Sequence, residues 1–136
     1  MQNTTKVNNL EPDYAKFYSD AISKFNGLER IPIDFILALL AHTYWNGKNH
    51  PMLFQNTKPA REKIQTACGI KKDMYAKYIS RCVKNGLLVN SEGYRTLYYV
   101  NPFFIARGTW SDVKQQRAYF IYTDGNWSCN LHPWEN

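Results

Sequence analysis

The stretch that most constrains this chain is residues 57–86, TKPAREKIQTACGIKKDMYAKYISRCVKNG. Apolar residues recur there at a helical period twice, with a glycine between the two runs. In the first run Ala60, Ile64, Ala67 and Cys68 share one face. Thr57 is placed to cap it, and Pro59 sits just inside the start, where a missing N–H costs nothing. Gly69 follows the last apolar residue, where a left-handed turn residue is wanted, and Ile70 is expected to bury at the turn. In the second run Tyr75, Tyr78, Ile79 and Cys82 form the apolar face, and Asn85-Gly86 closes it. The pattern predicts a helix-turn-helix.

The other face of the second helix carries Asp73, Lys77, Ser80, Arg81 and Lys84, with Lys71 and Lys72 in the first turn. Charges on an exposed helix face are ordinarily just solvated. A face built for solubility mixes signs, however, and here five cations face the single anion Asp73. The chain has 136 residues and a net charge of +6. Residues 58–117 hold twelve Lys and Arg against four acids, a net +8, and the remainder is −2. The excess falls on the helical pair and the thirty or so residues after it, which points to double-stranded DNA as partner. Lys58, Arg61 and Lys71 are then the candidates for holding phosphates. Lys72, Asp73, Lys77 and Arg81 are the candidates for base edges in the major groove.

Around this unit the chain reads as one domain over residues 10–136, after a loose polar segment 1–9. Residues 10–27 open on Glu11-Pro12-Asp13, and Tyr14, Phe17, Tyr18, Ile22 and Phe25 follow at helical spacing, with 16–19 alternatively extended. That N-terminal helix is the candidate surface for a homodimer. Residues 31–45 read as one helix from Pro32 to the stop at Asn46-Gly47. It is apolar nearly all round, so burial on several sides is expected, with His42 as an ordinary satisfied histidine. Residues 51–55 read as a short strand. Residues 87–90 and 94–100, around the loop 91–93, read as a hairpin with Tyr94 and Arg95 at its tip. A hairpin directly after the second helix is a wing, placed to touch the backbone or the minor groove. Past Asn101-Pro102, Thr109-Trp-Ser-Asp112 is a capping box for a short helix through Val113, Lys114 and Arg117. Residues 119–127 suggest a last hairpin around Asp124-Gly125. The expected class is α+β, mostly helical. It comprises a helix-turn-helix at about 57–86, a wing at about 87–101, an N-terminal helical extension and a C-terminal helix and hairpin over 102–136.

Several classes are disfavoured. Cys68, Cys82 and Cys129 form no CxxC pair and are odd in number, and no signal peptide or long apolar run is present. A cytoplasmic protein without a membrane span is expected. Cys129-Asn-Leu-His132, with His42 and His50 elsewhere, is a conceivable zinc set, but the second pair has no metal-ligand spacing, so neither metal nor cofactor is expected. There are ten tyrosines, but no close histidine pair, carboxylate cluster or glycine-rich phosphate loop accompanies them. An enzyme is therefore not expected.

The helical pair ends Val-Lys-Asn-Gly-Leu-Leu, and after the hairpin the chain runs Tyr-Val-Asn-Pro-Phe-Phe-Ile-Ala-Arg-Gly-Thr-Trp. In this order it resembles the RepL-type plasmid replication proteins. In that winged-helix group the wing's second strand leads into Asn-Pro, a few apolar residues and a basic-Gly pair. The resemblance spans residues 14 to about 117, and 99–108 with Trp110 and Lys114 is its more specific part. It implies sequence-specific binding at a replication origin, or copy-number control, for a plasmid or phage. One departure is Lys71, which stands where such proteins often cap the second helix with Ser or Thr; this loses a side-chain cap. A winged-helix transcriptional repressor using the same surface is the alternative, and a winged-helix protein-interaction module a further one.

Overall fold

Residues 15–131 are described by the computed structural model, and they form an α+β arrangement with five helices and eight strands. The segment 1–9, the helix start at Glu11-Pro12-Asp13, Tyr14 and His132 lie outside the described residues. The chain begins with β1 (Lys16–Phe17), so the extended alternative holds at 16–17, and α1 (Ser19–Phe25) follows. Then come α2 (Ile33–Leu40), β2 (Thr43–Tyr44), β3 (Leu53–Gln55), α3 (Lys58–Cys68) and α4 (Lys72–Lys84). The order continues with β4 (Leu88–Asn90), β5 (Leu97–Val100), β6 (Ile105–Ala106), α5 (Trp110–Arg117), β7 (Phe120–Thr123) and β8 (Asn126–Cys129).

The helical pair forms where its local signals lie. Thr57 caps α3 by accepting from the Ala60 N–H at 3.3 Å, and Gly69 ends it in the left-handed region at φ 64°. Ile64 is fully buried, and Tyr75, Ile79 and Cys82 of α4 meet it in the main core. Two residues of the expected α3 face depart from it: Ala67 is exposed, and Cys68 is half-buried at the Asp34 carbonyl.

The long helix expected over 31–45 stops at Leu40. The Thr43 hydroxyl donates to the Leu40 carbonyl at 2.7 Å, and His42 Nδ1 lies 2.8 Å from the Ala38 oxygen. Thr43 and Tyr44, residues suited to extended structure, then pair with Phe54 and Leu53. Burial on several sides is also corrected. Phe35, Ile36, Leu39 and Leu40 are buried, but Ile33 and Leu37 are 58% and 54% exposed.

The main sheet has the order β2-β3-β5-β4 and is antiparallel throughout. Side chains alternate across it. Phe54, Leu88, Tyr98 and Val100 face the helices, while Leu53, Val89, Leu97 and Tyr99 form a second cluster with Phe120, Cys129 and Leu131. Both faces are thus covered, one by α2–α4 and the other by the β7–β8 hairpin. That hairpin turns through Asp124 and Gly125, both at positive φ, and β8 lies along β4. The hairpin loop spans 91–96 rather than the three residues 91–93. The Asn90 side-chain amide donates to the carbonyls of both Tyr94 and Leu97 at 2.9 Å, holding the extra residues out of the ladder.

The helix at 110–117 starts with the expected capping box between Thr109 and Asp112. Its Arg117 is buttressed by three rings, Tyr18, Phe103 and Trp110, at 4.7, 4.7 and 5.0 Å, and donates to the Pro102 carbonyl at 3.1 Å. β6 pairs with β1 and so ties this region to the front of the chain.

Candidate nucleic-acid interface

α4 has three sides. Tyr75, Ile79 and Cys82 face the core. At 3.6 residues per turn, Asp73, Lys77, Ser80 and Lys84 lie opposite them, and all four are exposed. The two flanks differ. On one, Arg81 is half-buried, donates to the Arg30 carbonyl at 2.9 Å and lies 5.7 Å from the Tyr78 ring. Next to it Asn85 donates to the Glu29 carbonyl at 2.8 Å. Arg81, expected among the base-edge residues, instead straps the end of α4 to the loop before α2. The reason is tertiary: the Arg30 carbonyl, distant in the chain, lies within hydrogen-bond reach of the guanidinium.

On the other flank a groove of about 430 Å³ runs between α4 and β5. Arg61 and Lys72 line it, with Ala76 and Val83 of α4 and Tyr98 of β5. Arg61 is half-buried, and its Nε is buried with no hydrogen-bond partner among the described residues. At the groove floor the Tyr75 hydroxyl donates to Asn56 Oδ1 at 2.6 Å. Burial pushes the Tyr75 hydroxyl well above the usual tyrosine range, with Arg61 opposing the rise, so Tyr75 stays a neutral donor. The Asn56 backbone N–H in turn donates to the Thr96 carbonyl at 2.8 Å. Asn56 therefore pins the core-facing Tyr75 of α4 to the base of the 91–96 loop.

The remaining expected residues are distributed as follows. Lys58, the first residue of α3, is exposed, as are Lys71 and Lys72 at the start of α4. Lys71 occupies the cap position of α4 without a side-chain cap bond. Tyr94 and Arg95 are exposed on the hairpin loop, beyond the strands rather than at the start of β5. The structure thus brings Arg61 and Lys72 into one groove, sets Asp73 and Lys77 on the outward line, and diverts Arg81. Lys84 joins the outward line and was legible in the helical period. Asn56 and Tyr98 carry no sequence signal for their roles, because both act through the fold.

All three cysteines are free. Burial pushes the Cys82 thiol up to about 12 and the Cys129 thiol up to about 11, and burial with nearby Asp34 also raises Cys68. Among the described residues no three His, Cys, Asp or Glu side chains gather as a metal site. No helix among them is long and apolar enough to cross a membrane.

Comparison of the chain with family models, curated proteins and solved structures finds no match in any of the three.

The N-terminal surface considered for a dimer is partly used within the chain. Ala21, Ile22 and Phe25 of α1 pack on the main core, with Phe25 5.3 Å from Trp127 and 4.8 Å from Tyr122. Phe17 is left exposed.

Proposed function

We propose that this chain is a winged-helix protein that binds double-stranded DNA sequence-specifically, with α4 in the major groove. The observation that carries the reading is the outer surface of α4. It presents Lys71, Lys72, Lys77 and Lys84 in the exposed state, and Asp73 is the single acid of the helix. Support for a winged helix comes from the order α2–β2–β3–α3–α4–β4–β5 with β3 paired to β5. In this reading Lys77 and Asp73 meet base edges, guanine O6 and N7 for the lysine and cytosine N4 for the aspartate. Lys58 and Lys71 hold phosphates, and Arg95 with Tyr94 reaches the flanking backbone or minor groove.

The resemblance to RepL-type proteins supports a bound site at a replication origin, in initiation or copy-number control. A transcriptional repressor would use the same surface at a promoter. The test is binding to tiled duplex fragments from around the coding region over a range of salt. One fragment retained at physiological salt supports the reading, and its position separates origin from promoter. Equal, weak binding that falls together with salt on every fragment refutes it. A second reading, a protein-interaction module, draws on Met74 and Val83, which are 38% and 41% exposed beside the basic line. It predicts no selected fragment at all.

A further inference from the structure

The groove beside α4 has the chemistry of an extended ligand whose charge alternates with apolar surface. We propose that it carries one backbone strand of the duplex, with a phosphate on Arg61 and Lys72 and the adjoining deoxyribose on Ala76, Val83 and Tyr98. This rests on the DNA-binding reading and adds a path for the strand. It also moves Lys72 from base edges to the backbone.

Three observations carry it. First, both cations of the groove face no acid, since none of its lining residues is Asp or Glu. Second, the Arg61 Nε is buried without a partner among the described residues. A guanidinium can only donate, so a buried donor there calls for an acceptor, and phosphate oxygens match its fork. Third, the wall changes character along α4. Lys72 stands at the helix start, where the dipole favours an anion, and Ala76 and Val83 follow one and three turns on. A small free anion would use only the charged end. A sugar-phosphate strand uses both, and the Asn56 pin to Tyr75 and Thr96 keeps the two walls at a set separation.

The experiment is a salt titration of the full chain on a random-sequence duplex, which removes base reading from the measurement. Arg61→Gln and Lys72→Gln should each flatten the dependence of log affinity on log salt by about 0.9 per lost contact. Lys63→Gln, an exposed cation of α3 outside the groove, should leave the slope unchanged. Val83→Asp puts a carboxylate in the strand's path and should weaken binding about tenfold or more. Lys72 and Val83 are exposed, so these variants stay informative if Arg61→Gln fails to fold. Wild-type slopes for Arg61→Gln and Lys72→Gln overturn the groove, as does an equal drop for Lys63→Gln, which marks a diffuse field. If those results accompany a selected fragment in the tiling experiment, DNA reading stands and the groove falls alone. If the wild type binds no duplex, both fall.

Discussion

Substituting Gly86 by alanine should be the most damaging single-methyl change in this chain. Gly86 follows α4 at φ 83°, and its missing Cβ leaves room for the Trp127 ring of the last hairpin. A Cβ there would run into Trp127 Cδ1 and sit 2.7 Å from Nε1. The left-handed backbone alone costs a non-glycine residue about 1–2 kcal/mol. Forcing a methyl into a packed contact adds about 1–3 kcal/mol. The ring cannot withdraw freely, because it packs on Phe25, Phe103 and Phe104 at 5.3, 5.0 and 5.7 Å. The sum, about 2–5 kcal/mol, is a large share of the about 5–15 kcal/mol that holds such a domain together. At this chain length it lowers Tm by roughly 10–20 °C. Denaturant unfolding followed by circular dichroism on Gly86→Ala, Trp127→Ala and the double variant separates the two parts. With Trp127 removed, Gly86→Ala should cost only the backbone share of about 1–2 kcal/mol. If it costs the same with and without the indole, close approach of Trp127 is not what demands glycine, and the reasoning fails.

Arg117→Met should destabilise by about 2–3 kcal/mol in denaturant unfolding. It removes ring contacts to Tyr18, Phe103 and Trp110 and the bond to the Pro102 carbonyl; a loss under about 0.5 kcal/mol would mean the cage is idle. Lys77→Ala should cost about 1–3 kcal/mol of discrimination between selected and random duplex. Lys58→Ala should weaken all duplexes alike and lower the salt slope by about one unit; a fluorescence-anisotropy titration of both variants checks the contrast. Tyr75→Phe leaves Asn56 Oδ1 without its donor and should cost about 1–3 kcal/mol in a thermal melt. Stability should also fall in alkali. The Cys82 thiol is raised from 9.0 to about 12 on folding, so below about pH 9 both states keep the proton and nothing is lost. Between about pH 9 and about 12 only the unfolded chain ionises, which costs about 1.4 kcal/mol per pH unit; Cys82→Ala should flatten that limb of a pH-stability curve.

What was legible was local. The caps at Thr57 and Thr109, the glycine at 69 and the helical period of 57–86 need only neighbouring residues, and those elements form as expected. Fidelity drops where a side chain competes with the backbone. Thr43 ends α2 early, and Asn90 lengthens the hairpin loop; neither choice shows in periodicity. Apolar residues also do not say which neighbours exist. Ile33 and Leu37 look as buried in sequence as Phe35 and Leu39 do, yet no element covers them among the described residues. The site divides the same way. The sign of the α4 surface is written in its residues, but the diversion of Arg81 depends on the Arg30 carbonyl, a position distant in the chain. The role of Asn56 depends likewise on Tyr75 and Thr96, which only the fold brings to it.

The two-faced sheet has a consequence for how the chain is made. During synthesis residues 97–100, Leu-Tyr-Tyr-Val, emerge well before the hairpin that covers Leu97 and Tyr99. Until residues 120–131 leave the ribosome, one side of the sheet stays wet and β4 runs along an open edge. Nascent chains stalled in that interval should recruit chaperones or associate with one another. Release beyond Leu131 ends the exposure.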